Sequence, residues 1–155
     1  MSEHQMIRVQ EEDFEVGVEL ARMRSATDGI GAIASFVGIV RDVNDQLDVS
    51  QMTLEHYPAM TEKALNAIVE EARARWEIID ITIIHRIGNL RPSAQIVLVA
   101  VASGHRRDAF AACEFVMDYL KTKAPFWKKE VVGERSRWVE SRSSDDAAAK
   151  RWEKV

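Results

Sequence analysis

The sequence predicts an α+β fold built on a largely antiparallel sheet with flanking helices, and two observations lead there. Segments with strand-like alternation and segments with helical periodicity follow one another in mixed rather than strict alternation, which favours an α+β fold. Two apolar-rich runs, Ile78 to Ile87 and Gln95 to Ser103, are separated only by the turn-like Gly88-Asn89-Leu90-Arg91-Pro92-Ser93 and so read as an antiparallel pair.

The remaining elements follow in chain order. Met6 to Val9 reads as a short strand, and Glu12-Asp13 as the cap of a helix whose apolar face is Phe14, Val18, Leu20 and Ala21. Gly29 to Val40 (GIGAIASFVGIV) is a buried strand ending at Arg41, with Gly31 and Gly38 as bulges or points of close approach. Asp42 to Ser50 is polar and turn-rich, a loop, and Met52 to Tyr57 resumes alternation. Pro58 opens a helix, since proline at the first helical position sacrifices no hydrogen bond, and Leu65, Ile68, Ala72 and Trp76 form its stripe. A second helix runs from Arg106 to about Lys123 with Phe110, Cys113, Met117 and Leu120 inward; Pro125 ends it by excluding the helical region for the preceding residue. Phe126 to Val132 and Arg137 to Val139 read as strands, and Asp145 to Trp152 as a terminal helix. No repeat, linker or composition break divides residues 1–155, so one domain is expected.

Composition bounds the function. With 46% hydrophobic and 30% charged residues, the 155-residue chain can bury a core without staples. Lone Cys113 excludes an intramolecular disulfide and points to a reducing cytoplasm. No apolar run approaches a membrane span or a signal-peptide core, so neither a membrane nor export is expected. A net charge of −4 argues against general nucleic-acid binding. Positive charge nonetheless gathers late in the chain, at Lys121, Lys123, Lys128, Lys129, Arg135, Arg137 and Arg142, against Glu130, Glu134 and Glu140, which suits a local anion site.

Three constellations can carry chemistry. Ser103-Gly104-His105-Arg106-Arg107-Asp108 sits where a strand gives way to a helix; it either forms an anion pocket on the helix N-terminus or leaves Ser103 as a plain cap with His105 and the arginines in water. In Lys121-Thr-Lys-Ala-Pro-Phe-Trp-Lys128-Lys129 a proline corner can turn two lysines into one cleft, where crowded ammonium groups serve as nucleophile, base or proton donor; the plainer reading is a solvated basic helix end. Ser35 to Arg41 delivers an arginine to a strand end, either as a fork for an anion beside an aromatic wall at Phe36 or as the first solvent-exposed residue, and His85-Arg86 shares that ambiguity. The four histidines lie at no metal-ligand spacing, so no metal and no cofactor are expected, and mid-stripe Cys113 reads as core rather than nucleophile.

Taken together, SFVGIVRDVN, LEHYPAMTEKAL, IIHRIGNLRP, SGHRRDAF, MDYLKTKAPFWKKE and RWVESR, running from Ser35 to Arg142, resemble the large, catalytic subunit of molybdopterin synthase. That resemblance implies an α/β hammerhead fold and a homodimeric core that binds one small ubiquitin-like subunit per protomer, a heterotetramer. It also implies transfer of sulfur from the small subunit's thiocarboxylated Gly-Gly tail to cyclic pyranopterin monophosphate, forming the dithiolene of molybdopterin. The family's essential lysines fall on Lys121 and Lys128. Its anion-binding positions fall on Arg41, preceded by Ile39 and Val40, and on His105 and Arg106; Lys129, Glu130 and Arg142 complete the implied substrate-binding set. Where the family commonly has a glycine after HRIGNLRP, this chain has Ser93-Ala94, a change confined to a loop. The competing reading, from another class, is a non-enzymatic regulatory module that binds a phosphate ligand through Arg41, His105 and Arg106.

Overall fold

The computed structural model describes residues 4–44, 47–48, 50–133, 135–139 and 143–154. In chain order these form β1 (His4–Gln10), α1 (Val16–Ala26), β2 (Ala32–Ile39), β3 (Val43–Asn44), β4 (Leu47–Asp48), β5 (Gln51–His56), α2 (Pro58–Arg75), β6 (Asp80–Arg86) and β7 (Gly88–Leu90). After these come β8 (Gln95–Ser103), α3 (Arg106–Lys123), β9 (Phe126–Val132), β10 (Arg135–Val139), α4 (Ser143–Lys150) and a closing 3₁₀ turn, Arg151–Lys154.

Two four-stranded sheets organise the chain. The first has the order β1-β6-β8-β2 and is antiparallel except where β1 runs parallel to β6. Its two central strands are apolar on both faces because both faces are covered. Ile81, Ile83, Val97, Val99 and Val101 belong to the main core with α2 and α3, whereas Ile84, Leu98, Ala100 and Ala102 turn the other way, into a smaller core with Met23 of α1. Continuous apolar runs are what a doubly covered strand requires. The second sheet, β10-β9-β5-β7, is antiparallel throughout.

The sheets are joined by a strand that changes partners. β6 pairs with β8 through His85, and three residues later β7 pairs Gly88 with Leu54 of β5. Gly88 makes that switch at φ +84, a backbone region in which side chains with a Cβ are strained. The predicted turn from Gly88 to Ser93 is therefore partly strand, while the predicted β6–β8 antiparallel pair is present.

Other expectations need correction. Glu12-Asp13 does not cap α1, whose N-cap is Glu15. Asp13 instead accepts hydrogen bonds from the Phe14 backbone and the Gln95 side chain, and with Arg86 nearby its carboxyl is held below the usual range. Phe14 lies ahead of the helix as a buried plug, Val18 is exposed, and Met23 is the residue α1 buries completely. The sequence does not fix the register because the apolar residues of α1 are spread around the helix: Val16, Leu20 and Met23 share one side, whereas Val18 and Ala21 point away from it. On α3, Phe110 faces solvent, while Ala109, Ala112, Cys113, Phe115, Val116, Met117, Tyr119 and Leu120 pack inward. The loop expected over Asp42 to Ser50 carries a short hairpin, Val43 with Asp48 and Asn44 with Leu47.

The C-terminal segment docks on α2 and α3 through three rings. Trp76, Phe115 and Trp152 meet edge to face at 5.3 to 5.5 Å, Trp152 Nε1 donates to Asp118, and Arg151 bridges Glu114 and Asp118. Edge-to-face pairs add about 0.5–1.5 kcal/mol each beyond area burial. That docking holds α4, and with it Asp145, beside the end of α3.

Candidate active site

A cavity of about 410 Å³ opens between the two sheets at the C-terminal end of α3. Residues of β2, β5, β6, β8, α3, β9 and α4 line it. β2 contributes Phe36 to Ile39; its ladder with β8 is interrupted between Gly38 and Ile39, and that bulge re-aims the strand end toward Arg41. A Cβ at Gly38 would meet Val97 Cγ1 at 2.8 Å, so any larger residue there would force Val97 to shift. β9 contributes Phe126, Lys128 and Glu130, alternate residues that share one face of the strand. β6 contributes His85, and α3 contributes Met117, Leu120 and Lys121.

The proline corner does what its sequence suggests. Ala124, before Pro125, is extended (φ −89, ψ 137) and caps α3, and the chain returns directly as β9. Lys121 in the last turn of α3 and Lys128 on β9 consequently line the same cavity, joined by Arg41. Both lysines gain from their placement: a cation suits a helix C-terminus, and Lys128 is two residues from the carboxylate of Glu130, which is buried at 1% exposure.

The other sequence-selected residues divide. Ile39 lines the cavity and is partly exposed; Val40 is a buried core residue beside it, tied by backbone hydrogen bonds to Ala94 and Ser93. Lys129 points to the opposite face of β9, its Nζ 5.7 Å from the Trp138 ring, and does not line the cavity. His105 and Arg106 are exposed at the start of α3, a helix length from Lys121, or about 22 Å at 1.5 Å per residue. One chain does not bring them to the cavity. Ser103 does not act as a simple surface cap either: its buried hydroxyl donates to the Glu77 carbonyl and accepts weakly from the His105 backbone. Arg142 lies outside the described residues.

Two polar cavity residues, Asp145 and His85, lie outside the site set that the sequence implies. Asp145 approaches from α4, visible in sequence only as one acid of a helix start. His85 was left ambiguous at a strand end, yet it is buried at 5% exposure and stacks on Phe126 with centroids 3.7 Å apart and planes 10° from parallel. Its Nδ1 lies 2.8 Å from the Arg86 carbonyl. A carbonyl only accepts, so Nδ1 carries the proton and Nε2 keeps its lone pair. Burial pushes the His85 pKa down to about 4, aided by positive charge on Lys128, His56 and Lys121 and opposed by the Arg86 hydrogen bond. The imidazole is neutral at physiological pH. Cys113 is no nucleophile: its Sγ contacts the Val99 carbonyl, and burial, with Glu114 nearby, raises its pKa to about 11. Among the described residues no group of three or more His, Cys, Asp or Glu side chains could hold a metal ion, and no helix is long and apolar enough to cross a membrane.

What the arrangement offers is a cleft with apolar walls in which three cations, Arg41, Lys121 and Lys128, outnumber two carboxylates, Glu130 and Asp145, beside an aromatic wall from Phe36 and Phe126 and one neutral imidazole. Comparison with known proteins accords with it. Residues 9–123 match the MoaE protein family. A molybdopterin synthase catalytic subunit from Ralstonia nicotianae is 62% identical over 146 residues, 94% of this chain and 83% of that protein. Among solved structures, the molybdopterin biosynthesis MoaE protein of Burkholderia ambifaria superposes with a TM-score of 0.82 at 56% identity, covering 96% of this chain and 98% of that one. Molybdopterin synthase from Staphylococcus aureus follows at 0.78 and 34%, covering 85% and 95%. A Helicobacter pylori complex of subunits 1 and 2 of molybdopterin-converting factor shares the fold at 0.71 and 19%, covering 90% and 92%. The mixed α+β architecture, the lysine-bearing cavity and these likenesses converge: the chain belongs to the MoaE family of molybdopterin synthase catalytic subunits.

Proposed function

We propose that this chain is a sulfurtransferase that moves sulfur from the thiocarboxylated C-terminus of a small ubiquitin-like subunit to cyclic pyranopterin monophosphate, building the molybdopterin dithiolene. The observation that carries this reading is the convergence of Lys121 and Lys128 from the two sides of Pro125 into one cavity with Arg41. A thiocarboxylate is an anionic sulfur nucleophile, and a cleft with two ammonium groups binds its charge where water is partly excluded. As sulfur bonds to the pterin carbon, an oxygen departs and needs a proton, which Lys121 supplies. Water then cleaves the acyl–sulfur bond, leaving sulfur on the pterin and an ordinary carboxylate on the tail. Two sulfurs require two tails.

Phe36 and Met117 line the space in which the flat pterin or the slender Gly-Gly tail would lie. Lys128 balances the thiocarboxylate charge, Glu130 orients Lys128, and Arg41 holds the phosphate. His105 and Arg106 join that phosphate site only from a second copy, whose α3 start would lie against this cavity in a homodimeric core. Exposed Phe36 and Ile39 at the cavity and exposed Phe110 beside Arg106 are the apolar surface such a contact would cover. With one small subunit per protomer the assembly is a heterotetramer, working in the cytoplasm, where Cys113 stays reduced.

The test is reconstitution. Purified chain, cyclic pyranopterin monophosphate and small subunit should yield dithiolene product when the tail is a thiocarboxylate and none when it is a carboxylate. Pterin that binds but is never sulfurated by a competent donor would leave only a phosphate-binding module.

A further inference from the structure

His85 enters none of the steps above, although it is the most deeply buried titratable group lining the cavity besides Glu130. Its surroundings are specific. Phe126 covers one face of the ring at 3.7 Å, and on the same face of the same strand the next inward residue is Lys128. The Arg86 carbonyl fixes the tautomer and the ring rotation, so the lone pair stays on Nε2, the nitrogen left for the cavity. A buried acceptor beside an ammonium group is a hydrogen-bond site.

Resting on the sulfur-transfer reading, we propose that His85 is a positioning residue: its Nε2 accepts a hydrogen bond from the Lys128 ammonium and fixes that charge against the donor tail. The stack on Phe126 and the Arg86 carbonyl make the acceptor rigid. A lysine stem has four rotatable bonds, and an anchored ammonium stays where the thiocarboxylate arrives. A neutral imidazole gives Lys128 a second anchor besides Glu130 without adding another cation to Lys121, Lys128 and Arg41 or another carboxylate to offset their charge. The charged and titratable groups that face this pair are Lys121 from α3, Glu130 from β9, His56 from β5, Arg41 after β2 and Asp145 from α4.

The test uses the complete chain assembled with thiocarboxylated small subunit. His85→Phe keeps a stackable ring without an acceptor; His85→Asn keeps a donor for the Arg86 carbonyl but places nothing at the Nε2 position; His85→Gln restores an acceptor there. Single-turnover sulfur transfer should fall about tenfold in His85→Phe and His85→Asn and recover mostly in His85→Gln, with the pterin KM changed less than about twofold. The ¹³Cε titration midpoint of Lys128, assigned by comparison with Lys128→Arg, should fall by at least about half a pH unit in the two acceptor-less variants, because the ammonium loses an acceptor that favours it. Should His85→Phe fail to fold, His85→Asn carries the same comparison. Wild-type rates with an unmoved Lys128 midpoint overturn the proposal, and so do equal losses in all three variants with that midpoint unmoved, which would mark His85 as packing alone. If wild type itself transfers no sulfur, the reading of the reaction fails, while the Lys128 midpoint still decides the His85 contact.

Discussion

Lys121 and Lys128 leave opposite sides of the Pro125 corner and line one cavity, whereas Lys129, the immediate neighbour of Lys128, points to the other face of β9 and lies over Trp138. Strand alternation alone separates the two adjacent lysines. Alanine at Lys128 should lower the rate of sulfur transfer about 10²-fold, the scale on which a charge-stabilising group inside a cleft acts. Alanine at Lys129 should leave it within about twofold, since exposed contacts of this kind contribute little. Steady-state rates on the reconstituted enzyme decide it, and a large loss at Lys129 would mean that β9 presents its other face to substrate.

Docking of the C-terminal segment rests on Trp152, which meets both Trp76 and Phe115 and donates to Asp118. Trp152→Ala should cost about 3 kcal/mol, the low end for deleting a packed aromatic, and lower the melting temperature by roughly 6–12 °C in a chain of this size. Calorimetry of the wild type and the variant measures it. Asp145 would be released with α4, so a drop in activity should accompany the loss.

The depressed pKa of His85 makes stability depend on pH in a definable window. The unfolded imidazole takes up a proton near pH 6.5, but the folded one resists until about pH 4. Acid therefore favours the unfolded chain: the contribution is whole above pH 6.5, declines as pH falls toward 4 and is flat below. The full loss is about 3 kcal/mol. Urea midpoints for wild type should drop between pH 7 and pH 5 by more than those of His85→Phe, which has no such group. Parallel curves for the two proteins would place the imidazole in water.

Cys113 is buried, and its raised pKa keeps the thiol protonated. Native protein should not react with a disulfide reagent at pH 8, and one thiol per chain should react once urea unfolds it. Rapid labelling of the native state would contradict the packing of α3 against β8.

Much of the fold was legible because strong local signals set it. Pro58, Pro125 and the apolar stripe of α2 mark their elements unambiguously, and the runs of β6 and β8 are apolar enough to be read as a covered pair. α1 was misplaced because Phe14, apolar and adjacent, belongs to the core without belonging to the helix. The switch of the chain from β6 to β7 at Gly88 was invisible, since a glycine in a turn-like string does not announce that a strand resumes in another sheet. The site follows the same logic. Arg41, Lys121 and Lys128 announced themselves by motif, while His85 and Asp145 reach the cavity only through tertiary packing. His105 and Arg106 were selected for their chemistry, but α3 sets them its own length away from Lys121.

The measurement that tests the central claim most directly compares wild type with Lys121→Ala for dithiolene formation from cyclic pyranopterin monophosphate and thiocarboxylated small subunit. Product from wild type and a loss of about 10³-fold or more in the variant, with the donor still bound, is the predicted result. Undiminished product from Lys121→Ala would contradict the account, because the departing oxygen would then draw its proton from elsewhere.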